Sequence, residues 1–358
     1  MIKTITVHLG ERSYQIAMGK GLLARQNPAK EFQDRDAAII TDRRIYALLQ
    51  RGRMRKFLAS WPRRKYFFIP TGEAAKTLKT AERLILQLSR WDVRRRPLLI
   101  ALGGGAVGDL TGFVASIYKR GIPYVQIPTT LLAQVDSSIG GKVAVDLLHG
   151  KNLLGSFHQP RAVWCDLNFL NTLPERELRS GMGEVIKYGA ILDRPFLYWL
   201  SKHRKDILAR RSGTLLAMVN RCAQWKARIV EEDERDTKGL RTLLNFGHTI
   251  GHALETASGY HRTWTHGEAI SVGMIAAARL SNGLGLLPPA EVRLLEDLLN
   301  DYGLPIQFPR SLRTKVLTAL SRDKKFVHRS NRLVLLSRLG HAIVVDKIPT
   351  LSIAQSLS

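Results

Sequence analysis

Cysteine is scarce in this chain: among 358 residues there are only two, Cys165 and Cys222. Two thiols so far apart in sequence build neither a disulfide framework nor, by themselves, a cysteine-based metal site, so a reducing compartment is the default expectation. Long apolar runs are also missing, and no stretch approaches the roughly 20 residues that a membrane-spanning helix needs. The opening MIKTITVHLGERSYQI alternates apolar and polar residues like a strand and lacks the continuous apolar segment of a secretory signal. A soluble, cytoplasmic protein with no membrane partner is expected. Internal repeats and low-complexity linkers are absent as well.

Acidic residues are in short supply: 30 Asp and Glu stand against 55 Lys and Arg, a formal charge of +25. The excess clusters at Arg51, Arg53, Arg55 and Lys56, at Arg94, Arg95 and Arg96, and at Lys202, Arg204 and Lys205. Such a field attracts nucleic acid or a small polyanionic substrate. There is no zinc-finger spacing, no aromatic strand motif and no basic region followed by heptads, so no nucleic acid is expected and a solvated basic surface is preferred.

What is present is an ordinary globular composition, 45% hydrophobic and 24% charged. The length exceeds what one core usually organises, so two domains are expected. Through about residue 178, short β-rich runs near 37–41, 66–69, 97–102 and 124–128 alternate with amphipathic segments. That alternation predicts an α/β domain, a Rossmann-like parallel sheet with helices on both faces, over 1–178. After Pro174 the pattern turns to helical stretches at 196–210, 214–231, 249–257 and 269–281, predicting a mainly α-helical domain over 179–358. A small strand pair is expected at 332–337 and 342–345. Ligands commonly bind where two such domains meet.

The sharpest signal in the first half is LLIALGGGAVGD at 98–109, an apolar strand running through three glycines into a helix start. Such a turn lets backbone approach a pyrophosphate, while the helix N-terminus offers unpaired N–H donors. It is not the G-x-G-x-x-G fingerprint, and a tight turn alone would account for it. Asp42 ends a strand where an acid can meet an adenosine ribose, and TGEAAK places Glu73 and Lys76 around a glycine turn; either can equally be a surface loop. PTTLLAQVDSSIGGKVAVD brings Thr129, Thr130, Asp136 and Lys142 together, and GKN adds Lys151 and Asn152, in loop-like segments suited to ligand binding.

In the second half, SGMGEVIKYG sets Glu184 and Lys187 three apart on a helix, and NFGHTIGHALE sets His248 and His252 four apart on one helical face. His266 follows in the loop-like THGEAI. One carboxylate and imidazoles from separate segments suit a hydrated Zn2+ or similar ion with an open position, although a lone His or Glu on a helix is more often structural.

These strings, in order, resemble the 3-dehydroquinate synthase family: LGERSY (9–14), GEAAK (72–76), GGGAVGDLTGFVAS (103–116), YKRG (118–121), PTTLLAQVDSSIGGK (128–142), GKNLLGSFHQP (150–160), GEVIKYG (183–189), NFGHTIGHALE (245–255) and HGEAI (266–270). The resemblance implies an NAD-binding α/β domain, a helical metal-binding domain and catalysis in the cleft between them. It places the metal, Zn2+ or Co2+, on Glu184, His248 and His266. Its NAD contacts fall on Asp42, on Thr71, Gly72, Glu73, Ala74, Ala75 and Lys76, on Gly105, Ala106, Val107, Gly108 and Asp109, on Thr129 and Thr130, on Lys142 and Lys151, and on Phe169, Leu170, Asn171 and Thr172.

The implied substrate is 3-deoxy-D-arabino-heptulosonate 7-phosphate. Arg241 and Lys226 match its carboxylate grip. Lys142, Asn152, Asn245, His252 and Lys325 of the Lys324, Lys325 pair match its phosphate region, while Asp136 and Lys187 complete the set. Arg120 matches an arginine that reaches the neighbouring subunit, which implies a homodimer. The implied chemistry is transient oxidation at C5 by NAD, loss of phosphate by β-elimination, return of the hydride and an intramolecular aldol, with no net redox change.

Two departures stand out: DERDTKGLR is one residue longer than the family's usual segment, and Gly183 replaces a common Ala. The rivals are a sister sugar-phosphate cyclase making an epi-valiolone or a deoxy-inosose, and an iron-type polyol dehydrogenase that would release NADH.

Overall fold

The computed structural model describes residues 1–25, 32, 35–49, 57, 59, 61, 63–92, 97–147, 150–259, 264–321 and 332–357. The basic clusters at 51–56 and 94–96, and Lys324 and Lys325, lie outside them. Along the chain come β1 (Ile2–Val7), β2 (Tyr14–Gly19), α1 (Leu22–Arg25), β3 (Ala37–Thr41), α2 (Arg43–Leu49), β4 (Arg64–Phe68), α3 (Leu78–Trp91), β5 (Leu98–Gly103), α4 (Gly105–Ile117) and β6 (Tyr124–Pro128). A hairpin of β7 (Lys142–Leu147) and β8 (Gly150–Phe157) precedes β9 (Ala162–Asp166) and α5 (Asn168–Asn171). Then follow α6 (Glu175–Leu192), α7 (Arg194–Lys202), α8 (Arg204–Leu208), α9 (Ser212–Glu232), α10 (His248–Ala257), α11 (His266–Gly283), α12 (Pro289–Asp301), α13 (Arg313–Ser321), β10 (Leu333–Arg338), β11 (His341–Val345) and α14 (Thr350–Ser356).

The chain divides into two compact units, Met1–Leu173 with Ser212–Arg235, and Pro174–Arg211 with Asp236–Ser358. The division expected at residue 178 is linear, whereas the observed one returns α9 to the first unit. The apolar face of α9, with Leu215, Val219 and Cys222 buried, packs on β1, β2 and the turn Ala133–Ser137. Burial of that face, rather than position in sequence, assigns the helix.

In the first unit seven strands form one sheet in the order β1-β2-β9-β6-β5-β3-β4. Only β1 runs antiparallel, against β2 at the edge. Central strands are apolar on both faces, as a sheet covered on both sides requires. Ala38, Ile40 and Leu99 enter a core with Leu84 and Leu88 of α3 and Leu110 and Val114 of α4. Ala37, Ile39, Leu98 and Ile100 enter the opposite core with Leu22, Trp61 and Trp164. Burying each large aliphatic contributes about 1.5–3 kcal/mol.

Close packing of α4 on the sheet depends on glycine: a Cβ at Gly108 would lie 2.5 Å from Oε1 of Gln126 on β6. The chain passes from β3 outward to β4, then crosses back over β3 to β5, so its direction of growth reverses between β3 and β5. Open α/β sheets bind ligands at the carboxyl ends of strands beside such a reversal.

Residues 142–146 and 150–152, read from sequence as parts of loop-like ligand segments, lie on the β7–β8 ribbon, paired with itself and separate from the main sheet.

The described residues of the second unit form helices and the β10–β11 pair. Its centre is α11, buried along most of its length and packed against α6, α10, α12, α14 and β10. A helix apolar nearly all round must sit inside a bundle. The stretch expected as one helix over 196–210 is broken at His203 into α7 and α8. Among the described residues, no helix is long and apolar enough to cross a membrane.

Candidate metal centre and cofactor face

Three helices of the second unit carry the metal candidates. Glu184 lies within α6, His248 is the first residue of α10, and His266 is the first residue of α11. Glycines let the helices approach. A Cβ on Gly267 of α11 would lie 1.9 Å from the Ser180 carbonyl oxygen of α6, and one on Gly273 would lie 2.0 Å from the Gly247 carbonyl oxygen that precedes α10. The backbone N–H of Gly267 donates to Ser180 Oγ at 3.0 Å, satisfying a helix-start donor with no intrahelical partner. Gly183 belongs to the same crossing, its missing Cβ being 2.9 Å from the Gly267 carbonyl oxygen.

His266 corrects its sequence reading. It opens a helix because Thr265 and Glu268 form a capping box: the Thr265 hydroxyl accepts from the Glu268 N–H, and the Glu268 carboxylate accepts from the Thr265 N–H. The spacing T-x-x-E in THGE carries that signal; the glycine inside it is what makes the segment read as loop.

Nε2 of His248 and Nε2 of His266 each stand 3.4 Å from Oε1 of Glu184, whose side chain is fully buried. That separation exceeds a good hydrogen bond. It equals the edge, about 3.4 Å, of a tetrahedron whose centre holds an ion at Zn–N and Zn–O distances near 2.1 Å. All three donor atoms lie within 4.8 Å of one another. One carboxylate with two imidazoles fits a divalent ion and leaves a coordination position open.

The imidazoles differ in proton affinity. Burial, reinforced by the Lys187 ammonium, holds His248 well below the ordinary histidine value. Burial opposes charge on His266 too, but Glu184 and Glu255 outweigh it and push His266 up to about 9. The second carboxylate makes the difference, since Glu255 Oε2 stands 3.9 Å from His266 Nδ1, on the side of the ring away from Nε2. Lys187, also buried, pairs with Glu184 Oε2. His252, one turn along α10 and exposed, has its ring 5.3 Å from that of His248 and 5.9 Å from that of His266. Arg241 is buried in the short turn Leu240–Asn245, which also carries Asn245.

In the first unit the cofactor candidates gather at the carboxyl ends of β3, β4, β5, β6 and β9. Asp42 follows β3, the segment 71–76 follows β4, Gly105 to Asp109 open α4 after β5, Thr129 and Thr130 follow β6, and Phe169 to Thr172 follow β9. Asp42 uses one oxygen locally, accepting from the Ile45 N–H at the start of α2 at 2.9 Å. Phe169 and Leu170 bury their side chains in the core.

Lys76 is buried and pairs with Asp109 at 2.7 Å, with Asp146 at 4.0 Å and with the Asn152 side-chain oxygen. Burial pushes Asp109 up to about 6 against the pull of the Lys76 ammonium. Lys142 opens β7 and is exposed, Lys151 lies on β8, and Lys226 of α9 donates to Asp136 at 2.8 Å. Arg120 is exposed in a turn where Lys119, Arg120 and Gly121 all have positive φ. Two further acids, Asp146 beside Lys76 and Glu255 beside His266, are not singled out by the sequence reading, although Glu255 ends the string NFGHTIGHALE.

Residues 66–180 match the family model described as 3-dehydroquinate synthase N-terminal, and 181–326 match the one described as 3-dehydroquinate synthase C-terminal. The chain belongs to the 3-dehydroquinate synthase family. Among curated 3-dehydroquinate synthases, that of Neisseria meningitidis serogroup C (strain 053442) is 45% identical over 347 residues, covering 96% of each chain. That of Xylella fastidiosa (strain M12) is 44% identical, covering 100% of this chain and 98% of its own.

The 3-dehydroquinate synthase fold is shared with sister cyclases. The 2-epi-5-epi-valiolone synthase of Streptomyces hygroscopicus subsp. jinggangensis 5008, solved with NAD+ and Zn2+ bound, aligns at a TM-score of 0.88 and 28% identity over 98% of this chain and 97% of its own. A 2-deoxy-scyllo-inosose synthase complexed with carbaglucose-6-phosphate, NAD+ and Co2+ aligns at 0.87 and 28% over 99% of each chain. An iron-containing alcohol dehydrogenase aligns at 0.66 with 14% identity over 96% of each chain, a likeness of fold alone.

Proposed function

We propose that this member of the 3-dehydroquinate synthase family converts 3-deoxy-D-arabino-heptulosonate 7-phosphate to 3-dehydroquinate and phosphate, as a carbon–oxygen lyase using NAD and a divalent ion. The observation that carries the reading is the convergence of His248 and His266 on one oxygen of the buried Glu184. When bound, the ion supplies a Lewis acid to vicinal substrate oxygens, and NAD supplies a reversible hydride acceptor. Identity of 44–45% with 3-dehydroquinate synthases over nearly the whole chain, against 28% with the sister cyclases, favours the heptulosonate substrate.

The chain's own residues then divide the work. Glu184, His248 and His266 hold Zn2+ or Co2+, and Lys187 orients the Glu184 carboxylate through their buried ion pair. Gly105, Ala106 and Val107, in the first turn of α4, offer backbone N–H donors to the NAD pyrophosphate, while the Gly108 N–H already closes the helix onto Gly104. Arg241 and Lys226 grip the substrate carboxylate; Lys142, Asn152, Asn245, His252 and Lys325 receive the phosphate and stabilise the charge that develops as it leaves. His252, whose exposed ring stands 5.3 Å from that of His248, hands a proton to the departing group. Arg120, held in a left-handed turn, serves a neighbouring subunit in a homodimer. The exposed Leu153, Leu154 and Phe157 of β8 are the kind of surface that a dimer covers.

The deciding measurement mixes the protein with catalytic NAD+, Zn2+ or Co2+ and the heptulosonate phosphate, and follows phosphate, dehydroquinate and NADH absorbance together. Phosphate and dehydroquinate in equal amounts without NADH accumulation support the reading. Net NADH would place the enzyme with the polyol dehydrogenases. Turnover of sedoheptulose 7-phosphate or glucose 6-phosphate instead would place it with the sister cyclases.

A further inference from the structure

Asp146 belongs to none of the motifs that carry the family match, yet it stands at the centre of the polar network beneath the β7–β8 ribbon. The ribbon's register slips between Val145 and Leu147, so Asp146 occupies a bulge, the feature that re-aims a strand side chain. Its backbone N–H donates to the Lys76 carbonyl at 2.7 Å, fixing the ribbon to the loop that follows β4. Its carboxylate Oδ1 accepts the backbone N–H of Asn152 at 2.8 Å and faces the Lys76 ammonium at 4.0 Å.

Asn152 has a φ of 58°, a left-handed conformation that a non-glycine residue keeps only where its surroundings hold it. The Lys76 ammonium meets the side-chain oxygen of Asn152. An ammonium has donors only, so it fixes which end of the amide faces it. The N–H2 end is left for a ligand. An amide so fixed offers donors and no acceptor, the polarity that an anionic oxygen needs.

We propose that Asp146 is a positioning residue for recognition of the substrate's phosphate: by holding the Asn152 backbone and the Lys76 ammonium, it presents the donor end of the Asn152 amide to the anion. The inference rests on the proposed placement of Asn152 in the phosphate region. Asp146 acts through Asn152 and Lys76, the residues its carboxylate meets. Loss of its carboxylate frees the Asn152 backbone to leave the left-handed region and the amide to rotate, which weakens phosphate binding while leaving the chemistry of bound substrate in place.

Asp146→Ala, Asp146→Asn, Asn152→Ala and Asp146→Ala with Asn152→Ala are compared for KM of the heptulosonate phosphate, kcat, and NAD+ affinity by calorimetry. Asp146→Ala is expected to raise KM about fivefold, the worth of one hydrogen bond, with kcat and NAD+ affinity within about twofold. Asp146→Asn, whose oxygen can still accept from the Asn152 N–H, restores most of the loss. In the Asn152→Ala background, Asp146→Ala adds less than about twofold, since there is no amide left to orient.

Three results overturn the inference while leaving the Asn152 placement standing: an unchanged KM in Asp146→Ala while Asn152→Ala raises it, an undiminished Asp146 effect in the Asn152→Ala background, or NAD+ affinity falling in step with KM. An unchanged KM in Asn152→Ala sinks the Asn152 placement, and the inference with it. Where Asp146→Ala does not fold, Asp146→Ser takes its place, because its hydroxyl stops one atom short of the Oδ1 position.

Discussion

Nε2 of His266 lies 3.4 Å from Oε1 of Glu184, the first residue of one helix facing the buried middle of another. The distance is too long for a strong hydrogen bond and right for two ligands of one ion, and it depends on the glycine crossing between α6 and α11. Four expectations follow from this geometry and its support.

Glu184→Ala and His248→Ala should each lose bound metal and activity together. Elemental analysis of the purified variants, dialysed against buffer without chelator, measures the metal directly. Full activity in a metal-free Glu184→Ala protein would remove the centre from the reaction.

Metal binding should release protons. Glu184 and Glu255 push His266 up to about 9 without a metal, so at pH 7.5 it should carry a proton that the ion must displace. Below that value affinity should weaken about tenfold per pH unit until another group titrates. Calorimetry in buffers of different ionisation enthalpy counts the protons. Glu255→Gln removes one of the two carboxylates that raise His266, so proton release at pH 7.5 should fall; unchanged release would discount Glu255.

Gly267→Ala should cost about 1–3 kcal/mol or more, because the new methyl would lie 1.9 Å from a backbone oxygen of α6 and the helices must part. The metal should weaken with the fold, since His266 moves with α11. Thermal unfolding with and without Zn2+ separates the effects; a variant with native melting temperature and native metal affinity would show that the crossing gives way without cost.

Glu268→Ala should cost about 1–2 kcal/mol, the worth of the capping box plus a partly exposed pair with Arg176 at 2.7 Å. Burial opposes ionisation of Glu268, but Arg176 and the Thr265 N–H outweigh it and hold the carboxyl below its ordinary value of 4.5. The sign follows: a depressed carboxylate stabilises the fold above 4.5, and the contribution is lost as pH falls through the folded value. Wild type and variant should therefore converge in stability on acidification. A constant difference from pH 7 to pH 3 would contradict the assignment.

Some elements are legible from residues alone. β3 and β6 fall where the apolar runs place them, because strands buried on both faces need continuous hydrophobicity. The glycine turn at 103–105 is a strand-to-helix turn as read, since neither a tight turn nor the close approach of α4 tolerates much side chain. By contrast, β8 leaves Leu153 and Leu154 exposed, so no burial imprints a pattern on it, and of its partner β7 only Val143 and Val145 enter the core, too short an alternation to stand out from the polar residues around it. The return of α9 to the first unit is equally invisible, because an amphipathic helix shows that it has an apolar face and not which surface covers it.

The sequence by itself determined the chemistry available: which side chains exist, in what order, and which turns and caps present them. One carboxylate, two imidazoles and a capping box are properties of residues and short spacings. Tertiary structure decided their meeting. Glu184, His248 and His266 are far apart along the chain, and their donor atoms come within 4.8 Å of one another only because α11 packs against both α6 and α10 through glycines. Asp146 likewise gains a role only where a bulge turns it toward Asn152 and Lys76. Long-range packing sets those distances, and no local pattern encodes a distance between segments that meet only when the core forms.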